Sequence, residues 1–288
     1  CDEHELTLTA SLDDAYNDPD IDAVVLVTPH TQHADQVVAG AAAGKHILTE
    51  KPFALKKADG LRAAKAMTDA GLTLGIGHNY RYGAAVWEMK QIIESGKLGD
   101  IHHIEGNLSH QGQIGIEGWR RAHDEAPTGG IVHFGAHIID IMCWFGGPMR
   151  EVYAQLESHI LPADVGSVLT RFENGTTGYL ANLMTTPASF HLQVMGSEGW
   201  ARANGWLDTN KVVTCFGAGK VEESGGVTEE LELPIRDIYS QIRANDENFA
   251  AACLGQEPYL FTPEEMAHTA AIHEAIAKSA ESGLPTAV

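Results

Sequence analysis

The chain has 288 residues, 44% of them hydrophobic, enough to bury one large core or two smaller ones. Lysine and arginine number 19 against 39 aspartate and glutamate, a formal charge of −20 that repels phosphate backbones and argues against nucleic acid as a partner. Apolar runs such as Ala23 to Val27 and Val37 to Ala43 fall far short of the ~20 residues needed to cross a bilayer, so no membrane partner is expected. In chain order, Asp22 to Thr28 is a continuous β-rich apolar run, the pattern of a parallel strand buried on both faces. Gln32 to Ala43 reads as a helix closed by Gly44, and Lys45 to Thr49 as a short strand. Lys56 to Ala70 reads as a helix stopped by Gly71, and Leu72 to Gly77 as the next strand. This alternation predicts a parallel sheet with right-handed crossovers. After Arg81 the rhythm changes. Ala85 to Glu94 reads as a helix, Ile101 to Ser109 as a strand and Ile131 to Phe145 as an apolar helix. Strands then succeed one another over 151–159, 165–172, 177–185, 190–195, 201–206, 212–216 and 229–233, with Glu173-Asn174-Gly175 as a hairpin turn. Helices over 238–254 and 263–282 close the chain. The expected fold class is α/β: part of a doubly wound parallel sheet over 1–82, then an α+β part over 83–288 with a large, mostly antiparallel open sheet.

In open parallel sheets ligands collect outside the carboxyl ends of the strands, and three polar clusters stand there: Thr28-Pro29-His30, Glu50-Lys51-Pro52 and His78-Asn79-Tyr80-Arg81. Lys51 is thereby moved from a loose surface charge to a site residue. Further on, His133 and His137 are four residues apart, with Asp140 a turn later, so both imidazoles share one face if the helix has already begun. A packing role, with its nitrogens satisfied by backbone, is the plainer reading of His133. Four cysteines, Cys1, Cys143, Cys215 and Cys253, lie far apart without CxxC spacing, so neither a disulfide framework nor a zinc knuckle is expected, and a reducing cytoplasm fits best.

The succession Asp20-Ile21-Asp22-Ala23-Val24, Thr28-Pro29, His33, Ala43-Gly44-Lys45-His46, Glu50-Lys51-Pro52, Tyr80-Arg81-Tyr82, Gly96-Lys97-Leu98-Gly99 and Gly129-Gly130 through Gly135, His137 and Asp140 resembles the Gfo/Idh/MocA oxidoreductases. That family is named for glucose-fructose oxidoreductase and inositol dehydrogenase, and the resemblance runs from about Leu6 to the last helix. It implies that 1–82 is the C-terminal portion of a Rossmann domain binding NAD or NADP. It implies further that 83–288 is a substrate-binding and oligomerisation domain, whose open sheet face builds homodimers or homotetramers. The implied reaction is reversible hydride transfer between a nicotinamide and a carbinol carbon of a sugar, cyclitol or cyclic dihydrodiol. By the same resemblance His137 is the acid–base group, and Lys51 lies between cofactor and substrate, next to a Lys51–Pro52 peptide that is often cis in the family. Glu50 is a positioning partner, and Thr28, Pro29 and His33 approach the cofactor. Asn79 and Arg81 stand where the next strand meets the cleft, with Arg81 equally a structural ion-pair partner. Trp119, Arg120, His133 and Asp164 face the substrate.

Two departures accompany the resemblance. The dinucleotide fingerprint GxGxxG is absent, and the first βαβ unit is expected to lie upstream of Cys1. His133 stands where many members carry aspartate. Two alternatives follow: a relative that oxidises a sugar only transiently in order to cleave a glycosidic bond, and a non-catalytic or metal-binding member using His133 and His137.

Overall fold

The computed structural model describes residues 7–112, 116–205, 209–217 and 227–288. Cys1, and Trp206 at the end of one expected strand, lie outside them. A helix that the periodicity does not predict, α1 (Leu12–Asn17), starts on a capping box: Ser11 Oγ accepts the Asp14 N–H and the Asp14 carboxylate accepts the Ser11 N–H. The expected alternation follows as β1 (Ala23–Leu26), α2 (His33–Ala42), β2 (His46–Thr49), α3 (Lys57–Ala70) and β3 (Leu74–Ile76). The three strands form a parallel sheet in the order β1-β2-β3, with Leu26 beside Thr49 and Thr49 beside Ile76. Their carboxyl ends are therefore level, and the segments that leave them emerge together.

Val25 and Val27 are 60% and 65% exposed, so the burial on both faces expected of this first strand does not hold. The reason is positional: among the described residues β1 pairs with β2 alone, and Val25 opens onto the cavity described below.

The second part comprises α4 (Ala84–Glu94), β4 (Ile101–Ser109), α5 (Ala136–Gly146), β5 (Met149–Glu157), β6 (Val165–Phe172), β7 (Thr177–Leu183), β8 (Ser189–Gly196), β9 (Gly199–Gly205), β10 (Lys211–Phe216) and β11 (Val227–Glu232). Helices α6 (Ile238–Cys253) and α7 (Pro263–Ser282) and the short β12 (Thr286–Ala287) complete it. Nine strands pair in the order β11-β10-β9-β8-β4-β7-β6-β5-β12, antiparallel except where β4 meets β7. Helix α5 covers one face, burying Ile138, Ile141 and Met142 on Ile104, Leu108 and Leu192. The other face carries a cross-strand row of Tyr153, Leu169 and Tyr179, with Leu169 and Tyr179 exposed. Among the described residues no helix is long and apolar enough to cross a membrane.

Helix α7 returns to the first sheet. Phe261, Met266, Ala267 and Ala270 pack with Ile47, Phe53, Met67 and Ile76 in one core. Gly60 permits this approach, since a β-carbon there would stand 2.9 Å from Ala270 Cβ. Helix α6 closes the opposite side by bringing Phe249 against Gly75 of β3.

Candidate active site

The level strand ends bring Thr49, Glu50, Lys51, Gly77 and Asn79 to the wall of one cavity of about 280 Å³, and His137 of α5 lines it with them. Lys51 and His137, 86 positions apart in sequence, thus share one space. The Lys51–Pro52 peptide is cis. The Lys51 ammonium donates to the carbonyl oxygen of His133 and lies 5.8 Å from the centre of the Phe134 ring. Burial lowers its pKa to about 8, opposed by Glu50 and aided by Arg120. Glu50 stays exposed, and its Oε2 accepts the Lys51 backbone N–H at 3.2 Å. A larger groove of about 560 Å³, between α7 and the segment 123–127, is lined by neither Lys51 nor His137.

His137 is buried, with Tyr80 stacked on its ring at 4.0 Å and His78 Nδ1 3.4 Å from its own Nδ1. Burial first, then Lys51 and His78, hold it well below the ordinary histidine value. It is therefore a neutral imidazole at neutral pH.

His133 does not share that setting. Residues Ile131–Gly135 form a π-helical turn ahead of α5, so the chain does not enter the helix with α-helical spacing at His133. The His133 ring instead faces Arg120, whose carbonyl oxygen lies 3.2 Å from Nε2, and stands 6.1 Å from the His30 ring. Burial lowers its pKa to about 3. Among the described residues no group of three His, Cys, Asp or Glu side chains is placed to hold a metal ion. Trp119 and Arg120, on the turn Gly118–Arg121, close this side: Arg120 lies over the Trp119 ring at 4.4 Å, and Trp119 meets the edge of His30 at 4.9 Å.

Thr28 and Pro29 leave the end of β1, with Thr28 Oγ1 donating to Gln36 at 2.5 Å. Three expected site residues are engaged elsewhere, each for a physical reason. His33 is fully buried, with Nδ1 2.9 Å from the Pro52 carbonyl and Nε2 2.9 Å from the Thr28 carbonyl. The ring thus lies between the carbonyls of two strand-end loops, one of which accepts its N–H. Arg81, also fully buried, donates through Nε and Nη2 to the two oxygens of Asp140 at 2.9 and 2.7 Å, with Phe261 4.1 Å from its guanidinium. It is the structural ion-pair partner. Asp164 accepts from the N–H groups of His159, Ile160 and Leu161 at 2.9, 2.7 and 2.8 Å, which ties it to its own loop and, against the opposing effect of burial, holds its carboxyl below the usual range. Conversely, His30, His78 and Tyr80 contact site residues, although roles were expected only of their neighbours in the strand-end clusters. The available signal was their position in those same clusters.

The family model described as "Oxidoreductase family, NAD-binding Rossmann fold" matches residues 1–78, and that described as "GFO/IDH/MocA C-terminal domain" matches residues 86–202. The chain belongs to the Gfo/Idh/MocA family. Among its curated relatives, 1,5-anhydro-D-fructose reductase of Ensifer adhaerens is 34% identical over 199 residues, 66% of this chain and 59% of that protein. The scyllo-inositol 2-dehydrogenase (NADP(+)) of Bacillus subtilis (strain 168) is 31% identical over 145 residues, 50% of this chain and 40% of that protein. The match therefore spans less than two thirds of either relative. A levoglucosan dehydrogenase solved in complex with NADH superposes with a TM-score of 0.86 at 23% identity, over 97% of this chain and 83% of that one. This likeness establishes the Gfo/Idh/MocA fold, with a parallel sheet of Rossmann type ahead of a large mixed sheet.

Proposed function

We propose that this Gfo/Idh/MocA chain is an NAD(P)-dependent oxidoreductase acting on a carbinol carbon of a sugar, cyclitol or cyclic dihydrodiol. The observation that carries the reading is the shared cavity of Lys51 and His137 at the level ends of three parallel strands. Its walls suit the nicotinamide end of the cofactor. Val25, Leu48 and Ile242 supply apolar surface, Asn79 an amide, and glycine at position 77 leaves room where a β-carbon would stand 2.8 Å from Glu50 Oε2. Thr28, Pro29, Glu50, Lys51 and Asn79 would hold that end, and when bound the group accepts or returns the hydride.

The side chains of this protein do the remaining work. Neutral His137 takes the hydroxyl proton during oxidation and returns it during reduction. Lys51, released from the His133 carbonyl, donates to the reacting oxygen and stabilises its developing negative charge. Trp119, Arg120 and His133 wall the substrate side. The same proposal divides the chain at Tyr82 and Gly83 into cofactor and substrate parts. It places the protein in the cytoplasm, as a homodimer or homotetramer joined through the open sheet face.

The test is steady-state turnover of the full chain with NAD(+) or NADP(+) and a panel containing levoglucosan, myo-inositol and scyllo-inositol, followed by the absorbance of reduced nicotinamide. Net cofactor reduction with at least one polyol is expected. Glycoside cleavage without net reduction would favour the transient-oxidation alternative, and inertness to the panel and to both nucleotides would overturn the proposal.

A further inference from the structure

His78 follows the end of β3, and its Nδ1 lies 3.4 Å from Nδ1 of His137, with the ring centroids 5.3 Å apart and the planes at 79°. Both residues are buried, 2% and 6% exposed, so water does not compete for this contact. Two bare nitrogen lone pairs facing each other there would repel, so one Nδ1 carries a proton and the other accepts it. The charged and titratable groups facing the pair are Lys51 beyond β2, Arg81 beyond β3 and His273 of α7, with Tyr80 stacked on His137. Burial, with these cations, holds both imidazoles well below the ordinary histidine value, so the pair is neutral and has a single proton between its Nδ1 atoms.

Two arrangements satisfy the contact. If His78 donates, His137 presents an Nε2–H to the cavity. If His137 donates, its Nε2 presents a lone pair. The carboxylates Glu50 and Asp246 line the same cavity, but the charged side chain that acts on His137 there is the Lys51 ammonium, and an imidazole turns the negative end of its dipole, the unprotonated nitrogen, towards a cation. We infer that His78 is a positioning residue, accepting the Nδ1–H of His137 so that the Nε2 lone pair of His137 faces the reacting hydroxyl. This rests on the proposed acid–base role of His137. It assigns to His78 the orienting task that a carboxylate or backbone carbonyl performs for many catalytic histidines.

The test uses the full chain labelled with ¹⁵N-histidine, the His137 imidazole signals being identified by their loss in His137→Gln. In the unsubstituted protein His137 is expected as the Nδ1–H tautomer with a bare Nε2. His78→Phe keeps a planar ring but removes the acceptor. It is expected to release that tautomer and to lower kcat about 10- to 100-fold, with KM shifted less than about twofold, using whichever of levoglucosan, myo-inositol or scyllo-inositol turns over. His78→Asn, whose amide oxygen can accept the same proton, is expected to restore the tautomer and most of kcat. An Nε2–H tautomer of His137 in the unsubstituted protein would overturn the inference, and needs no variant at position 78 to detect. An unchanged tautomer and kcat in folded His78→Phe would overturn it too. Turnover that survives His137→Ala overturns the underlying assignment of His137 instead, and leaves the tautomer measurement to judge the pairing on its own.

Discussion

Lys51 titrates near 8 because burial strips water from its ammonium, and His137 is neutral because burial and Lys51 together oppose its charging. The proposed chemistry needs the ammonium of the first and the free base of the second. Both forms coexist from well below pH 6.5 up to about pH 8, so kcat/KM for oxidation is expected to stay level through 6.5 and to fall as pH rises through about 8. In Lys51→Arg, whose guanidinium does not deprotonate, the alkaline fall should vanish from an otherwise lower profile. Lys51→Ala and His137→Ala should each reduce turnover by at least ~10²-fold, the scale for losing a positioned acid–base or electrostatic group. A pH profile that climbs through 6.5 would contradict the neutral His137. Lys51 was legible in the sequence because it directly follows a short apolar strand, where sheet topology forces a cleft. The task of Asp164 was not, because it depends on how its own loop folds three N–H groups onto the carboxylate, and those of His33 and Arg81 were not, because each depends on a partner supplied by another loop or element, the Pro52 carbonyl and the Asp140 carboxylate. His78 was hidden for the same reason, its partner lying 59 positions away.

Between elements, two contacts fix how the strand-end loops meet α5 and α7. Arg81 and Asp140 form a bidentate pair in which both side chains are almost fully buried, clamping the segment after β3 to α5. Removing one partner strands a buried charge, so Arg81→Met or Asp140→Leu alone should cost about 3–5 kcal/mol, whereas the two together should lie much closer to the unsubstituted protein. Urea titrations of the four proteins measure this, and additive losses would show that the pair is not coupled. Gly60 sets the second contact. Gly60→Val must push α3 away from Ala270 and should cost on the order of 1–3 kcal/mol, read from the same titration. Most element bounds were legible from periodicity, since β4, β6, α6 and α7 fall within a residue of expectation. The π-helical turn before α5 was not. Its apolar residues Ile131, Val132 and Phe134 fit an α-helical pattern equally well, and nothing in that pattern marks the wider turn.

At the scale of the molecule, a formal charge of −20 opposes self-association, while the open face of the large sheet presents Leu169 and Tyr179 in register, with Tyr153 on the next strand. Apolar side chains on neighbouring strands make a flat, preformed patch, and like-charged copies approach it only when salt screens their repulsion. If the proposed homo-oligomer uses this face, its affinity should rise with ionic strength, because the attraction is apolar and the opposition electrostatic. Leu169→Glu combined with Tyr179→Glu adds charge to the centre of the patch in every copy and should yield monomers by light scattering. Far-ultraviolet circular dichroism should not change, since both side chains point away from the core. The cavity shared by Lys51 and His137 lies at the strand ends of the other sheet, so under the proposed function these monomers should keep nucleotide-dependent turnover. An assembly that survives the double substitution would place the interface elsewhere. Loss of turnover together with assembly would mean instead that the proposed substrate side of the cleft, with Trp119 and Arg120, takes its working shape only when a second copy covers the sheet.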